Sequence, residues 1–257
     1  MASSPRTKNT ERRMPLIEHL LELRRRLVRA VLGVVVGGVA GWFLADLVLA
    51  ALRHPLLGRP NSRINFTGIT SAFDVKFEIA IVLGIVLSSP VWLYQVFAFI
   101  TPAFTRQEKK YVFGFFFTAV PLFFIGCAAG WLLVPHIVAL MTGFAGTQDA
   151  TLIDAKTYLD FVLRLVLVIG VAFVLPVFLV LLNFIGILRG SAILKGWRLA
   201  VLATVVFTAL ATPSADVISM MLLAAPLIAL YFGSVGVALL HDRRVDRRAQ
   251  AAVTAAL

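Results

Sequence analysis

The sequence predicts an all-α polytopic membrane protein with six transmembrane helices and both termini in the cytoplasm. Three observations carry that prediction. Long hydrocarbon runs fill the chain, basic residues alternate between rich and poor connections, and the runs themselves hold almost no charge. The runs are 27–52, 75–100, 111–134, 161–187, 199–211 and 217–240. About 20 apolar residues cross a hydrocarbon core of about 30 Å, so five of the six are long enough. At about 1.5 Å per residue, 199–211 reaches roughly 20 Å and needs Trp197 and its neighbours to complete a span.

Basic residues set the orientation. Segment 1–29 carries eight of them. The connection between spans two and three carries Arg106, Lys109 and Lys110. That between spans four and five carries Arg189, Lys195 and Arg198, and the tail Arg243, Arg244, Arg247 and Arg248. The opposite side holds Arg53, Arg59, Arg63, Lys76, Lys156 and Arg164, so eighteen of the 24 Lys and Arg fall on one face. Positive charge is retained inside, which makes that face cytoplasmic.

The chain is 60% hydrophobic and 14% charged, a membrane-protein composition. Its net charge of +11 lies in short juxtamembrane clusters. That placement points to anionic lipid and topology rather than to nucleic acid. Cys127 is the single cysteine, so no internal disulfide can form. The apolar run after Arg24-Arg25-Arg26 is 26 residues, longer than the roughly 7–15 of a signal h-region, and reads as a retained span.

Three regions follow: a basic, disordered N-terminus over 1–14, a membrane domain over 15–240, and a cytoplasmic tail over 241–257. The outer connections 53–74 and 135–160 are long, and a helix restarts near 154–158. Pro90, Pro121, Pro176 and Pro226 each fall in a different span. Each removes a backbone hydrogen bond, which predicts kinked helices and a concave bundle. Helices five and six are expected to be short, forming a shallow hairpin with its turn at 212–216.

Ionisable groups deep in a membrane mark ion and proton paths. Here Lys76, Glu78 and Arg164 lie near outer span ends, within reach of the interface. Ser88, Ser89, Gln95 and Asn183 read as interhelical hydrogen-bonding groups. No metal-ligand spacing, paired intramembrane carboxylates or nucleophile–base constellation appears, so no enzyme, metal or cofactor is expected. A small-solute secondary transporter is the alternative function; it would need a polar midplane site or internal repeats, and neither is evident.

The informative charges are cytoplasmic acids. Leu16, Leu20, Leu23 and Leu27 recur at three- and four-residue spacing, an amphipathic helix leading into span one. Glu18 and Glu22 share one face of it. Glu108 lies between spans two and three. Composition alone favours local pairing, Glu22 with Arg25 or Arg26 and Glu108 with Arg106 or Lys109, and such exposed pairs are weak.

Three blocks in order resemble the TatC family, the signal-receptor subunit of the twin-arginine protein translocase. They are His19-Leu-Leu-Glu-Leu-Arg-Arg-Arg-Leu27, then Leu87-Ser-Ser-Pro-Val-Trp-Leu-Tyr-Gln-Val-Phe-Ala-Phe-Ile-Thr-Pro-Ala-Phe104 with Glu108-Lys109-Lys110, then Ala211-Thr-Pro-Ser-Ala-Asp216. The resemblance covers roughly 15–240. It implies that Glu22 and Glu108 are signal-peptide-binding acids, that Arg24 belongs to the same N-terminal site, and that Phe99 is a functionally sensitive aromatic. It also matches Pro55 to a proline after span one and Asp216 to an outer-loop acid. Capping of span six is an equally good role for Asp216. Where the family carries a polar residue in span four, this chain has Val174. The partners implied are twin-arginine signal peptides and small single-span TatA- and TatB-type subunits. The chain is also expected to associate with further copies of itself in the complex, at the cell membrane, with the proton-motive force supplying energy. The chemistry agrees with that site: guanidinium is a planar fork that a carboxylate accepts bidentately and that lysine cannot imitate.

Overall fold

The computed structural model describes residues 16–57, 63–65, 68, 70–100, 106–143, 152–211 and 217–255. The segment 1–14, expected to be disordered, and the turn 212–216 lie outside the described residues. The elements are α1 (Leu16–Leu57), β1 (Arg63–Asn65), α2 (Ser71–Leu87), α3 (Ser89–Ile100), α4 (Arg106–Gly143), β2 (Leu152–Asp154), α5 (Ala155–Phe184), α6 (Gly190–Lys195), α7 (Trp197–Ala211) and α8 (Val217–Ala255). Helix dominates because backbone polar groups in hydrocarbon must be satisfied within their own segment. Within the described residues, α1, α4, α5 and α8 are each long and apolar enough to cross a membrane. The pair α2–α3, bent by 54°, makes a fifth such unit, and α7 is a shorter apolar helix. The protein is therefore a multi-pass membrane protein.

The bend falls at Ser88, two residues before Pro90. Proline is tolerated in a first helical turn, where its missing N–H has no partner to lose. The carbonyl of Ile85, beside the break, accepts the indole N–H of Trp92 at 2.9 Å. Ser88 hydrogen-bonds within its own segment, to the same carbonyl at 3.5 Å, rather than across helices. The other span prolines, Pro121, Pro176 and Pro226, sit inside uninterrupted helices. So does Pro135, expected in an outer connection, because α4 continues to Gly143.

The helices α1 and α2 pack almost backbone to backbone. Gly33, Gly37 and Gly41 form a four-residue ladder, Gly37 and Gly41 facing α2 and Gly33 facing Val91 of α3, and a Cβ on Gly37 would lie 2.6 Å from the carbonyl oxygen of Gly84. Small residues of this kind let membrane helices approach where no hydrophobic drive exists between them. The central helix is α5, whose buried side chains face α2, α4 and α8. Its N-terminal part joins Ile79, Ile137 and Leu223 in one core cluster, its C-terminal part joins Leu93, Phe97 and Phe123 in another. Val174 is 3% exposed in the second cluster, so a valine suits a position where the resemblance would put a polar group.

The expected helix restart near 154–158 is present: Asp154 caps α5, its side chain accepting the Thr157 N–H at 2.9 Å. Gly186 ends α5 with φ +79°, its N–H bonding to Asn183 O and that of Ile187 to Leu182 O. That is a Schellman stop, which favours glycine because the left-handed backbone crowds a Cβ. The all-α expectation needs one addition. β1 and β2 pair in parallel, Ile64 opposite Ile153, and tie the α1–α2 connection to the α4–α5 connection. The expectation that helices five and six are both short needs correction. α7 has 15 residues, but α8 has 39 and continues through the basic segment after Leu240. Its Arg, Ala and Gln residues keep helix propensity high once the apolar run ends.

Candidate functional site

The start of α1 carries the acidic and basic residues singled out above. Leucine, glutamate and arginine are strong helix formers, so the apolar run and its polar approach fuse into one helix. Glu22 and Arg26 stand one turn apart. The Arg26 Nε donates to Glu22 Oε1 at 2.9 Å, and its terminal nitrogen donates to the same oxygen. Local pairing thus occurs, with Arg26 as the partner. It engages only one carboxylate oxygen: Glu22 Oε2 is buried and has no hydrogen-bond partner among the described residues. A hollow of about 350 Å³ beside it is lined by Glu18, Leu21, Glu22, Arg25, Arg26 and Arg29.

The same helix meets the second motif. His19 stacks on Phe99 of α3, with ring centroids 4.4 Å apart and planes 25° off parallel. His19 precedes Glu22 by three residues, so the two lie on one side of α1. The stack therefore places Phe99 near the Glu22 turn. Arg24 is exposed on α1. Glu108 lies in the first turn of α4. Its side chain is outside the described residues, as are that of Pro55, near the end of α1, and the whole of Asp216. The structure thus joins Glu22, His19 and Phe99, and leaves the distance from Glu22 to Glu108 open.

Chemically, the Glu22 site is an acceptor. One oxygen is held by an internal guanidinium, and the other is buried with no donor among the described residues. A buried acceptor without a donor costs roughly 1–3 kcal/mol, a cost that an incoming N–H removes. The ring of Arg25, Arg26 and Arg29 raises the local potential, so a single cation without good geometry gains little there.

Three features escaped the sequence reading. The Gly33–Gly37–Gly41 ladder was legible as a small-residue repeat within an apolar run. Asp242 accepts Asn183 Nδ2 at 2.8 Å and Gly190 N–H at 2.6 Å, fastening α5, α6 and α8 together. No sequence signal distinguishes it from the neighbouring Asp246. Asp46 pairs with Lys76 at 2.8 Å, which gives Lys76 a partner on α1 as well as access to the interface.

Comparison with known proteins places this geometry in context. The family model described as Sec-independent protein translocase protein (TatC) matches residues 18–226. A Sec-independent protein translocase protein TatC of Xylanimonas cellulosilytica is 46% identical over 252 residues, 96% of this chain and 91% of that protein. The TatC of Rothia mucilaginosa is 36% identical over 247 residues, covering 93% of this chain and 84% of that one. A crystal structure of the twin arginine translocase receptor TatC in DDM superimposes with a TM-score of 0.78 at 27% identity, over 86% of this chain and 99% of that one.

Proposed function

The chain belongs to the TatC family of Sec-independent protein translocase proteins, and on that premise we propose that it receives twin-arginine signal peptides at the cytoplasmic face of the cell membrane. One observation carries the site. Glu22 keeps a buried oxygen free for a guanidinium beside the His19–Phe99 stack. Glu108 holds the second arginine of the pair, and Arg24 excludes cations that lack the fork geometry. Phe99 offers the apolar contact where the hydrophobic part of the peptide begins.

Six spans with both termini inside complete this reading. The bent pair α2–α3 counts as one span and α7 as the short fifth. The split of basic residues between the two faces supports the orientation. Single-span TatA- and TatB-type subunits are the partners, and their helices dock on α7, whose Leu199, Leu202 and Leu210 are exposed in one stripe. Further copies of the chain join the same complex. Pro55 and Asp216 act at the outer ends of spans one and six, and the proton-motive force supplies the energy.

The test is binding of a labelled twin-arginine peptide to the purified protein, with a twin-lysine peptide as reference. Glu22→Ala and Glu108→Ala should each lower affinity by about 5- to 150-fold, the equivalent of roughly 1–3 kcal/mol per charge-assisted contact. Normal binding and export in both variants would show that the receptor site lies elsewhere.

A further inference from the structure

An apolar groove of about 650 Å³ opens between α5, α6, α7 and α8. Leu175, Phe178 and Leu179 form one wall, Leu199, Ala203 and Phe207 the other. Two hydroxyls reach it, and both donate internally: Thr204 Oγ1 to Ala200 O at 2.8 Å, Tyr231 OH to Ile193 O at 2.6 Å. The groove therefore offers hydrocarbon walls and no free donor of its own. From Gly196 to Phe207 it follows about 16 Å of helix, close to half of a bilayer core of about 30 Å.

Basic residues border one end. Lys195 precedes the lining residue Gly196 and Arg198 precedes the lining residue Leu199; both are exposed, neither itself lines the groove, and neither has an ion-pair partner among the described residues. Arg198 lies 5.7 Å from the ring centroid of Trp197, an aromatic–basic pair of the kind that marks a membrane interface. No Asp or Glu occurs between positions 161 and 215.

We propose that this groove holds an acyl chain of an anionic phospholipid of the inner leaflet, with the headgroup phosphate on Lys195 and Arg198. The leaflet assignment rests on the topology proposed above. Hydrocarbon walls beside two exposed basic residues select a ligand with an apolar tail and an anionic head. Of the exposed α7 stripe only Leu199 lines the groove; Leu202 and Leu210 do not, so both ligands fit one helix.

The experiment uses the full chain in nanodiscs of mixed phosphatidylglycerol and phosphatidylcholine, followed by native mass spectrometry of retained lipid. The wild type should retain phosphatidylglycerol in preference. The double variant Lys195→Gln, Arg198→Gln should lower that retention about tenfold or more, since each basic side chain near an anionic surface is worth about a factor of five. Ala203→Trp, which fills the groove, should lower retention of both lipids. The glutamines replace exposed side chains, so folding, checked by melting temperature, should hold. Equal retention of the two lipids by the wild type would overturn the proposal, as would unchanged selectivity in the double variant. Loss of a co-purifying single-span subunit from Ala203→Trp, with lipid retained, would assign the groove to a helix instead. Twin-arginine peptide binding, measured in the same nanodiscs, should be unchanged in the double variant. Its absence from the wild type would count against the receptor reading and leave the lipid result standing.

Discussion

The two oxygens of Glu22 have different surroundings, and the difference has a measurable consequence. Oε1 is occupied by Arg26, while Oε2 is buried with no donor among the described residues. A guanidinium arriving from a peptide can bond to one oxygen, or displace Arg26 and take both. Displacement breaks a charge-assisted contact that is partly screened at this half-buried position. Arg26→Gln removes the competitor and a like charge together. Affinity for a twin-arginine peptide should therefore rise about 3- to 10-fold, equivalent to roughly 0.7–1.4 kcal/mol. A drop in affinity, measured by fluorescence anisotropy at fixed salt, would mean that Arg26 positions the carboxylate more than it competes for it. The local pair was legible in the i, i+4 spacing. The free second oxygen was not, because burial of one atom depends on which helix covers it.

At the level of elements, close packing and one buried carboxylate set the geometry. Gly37 meets the backbone of Gly84 so tightly that a methyl group has no space, and the obstruction is a main-chain carbonyl that cannot swing aside. Gly37→Ala should force α1 and α2 apart and destabilise the protein by about 1–3 kcal/mol, the usual cost of overpacking. Gly114→Ala, at a helical position with open space, serves as control and should be at least as stable as the wild type in a thermal-shift measurement. Near the C-terminal end of α5, Asp242 is the junction of three helices. Asp242→Ala strands the Gly190 N–H and frees one Asn183 bond, with an expected loss of about 2–4 kcal/mol for two bonds to a charged acceptor. Proteolysis should then cut the basic end of α8 faster than in the wild type. An unchanged cleavage rate would mean that the helix is held by its apolar contacts alone. Asn183 was expected to bond across helices, and it does, but its partner could not be read from a chain separation of 59 residues.

For the whole molecule, orientation is the property to test. Cysteines introduced at Ser62 and Thr147 should react with a membrane-impermeant thiol reagent added outside intact cells. Cysteines at Gln107 and Ser191 should react only after the membrane is opened. Labelling at Thr147 solely from inside would refute six spans, because the side on which that connection lies depends on every span before it. Cys127 is buried, so it contributes little background in this assay.

By itself, the sequence determined the class of the protein, the number of apolar segments, the start of α5 at its Asp154 cap and the motifs that place the chain in its family. These are local quantities: hydropathy, charge sign, capping and short-range spacing depend on neighbours within a few turns. Tertiary structure decided the rest. It chose Ser88 rather than Pro121, Pro176 or Pro226 as the sharp break, because a proline inside a helix is absorbed when surrounding segments pack against it. It paired β1 with β2 across 89 residues, which no three-residue pattern can announce. It brought His19 onto Phe99 and Asp242 onto Asn183. Each of these contacts joins residues distant in the chain, and their meeting depends on how whole helices cross, a property that no single segment carries.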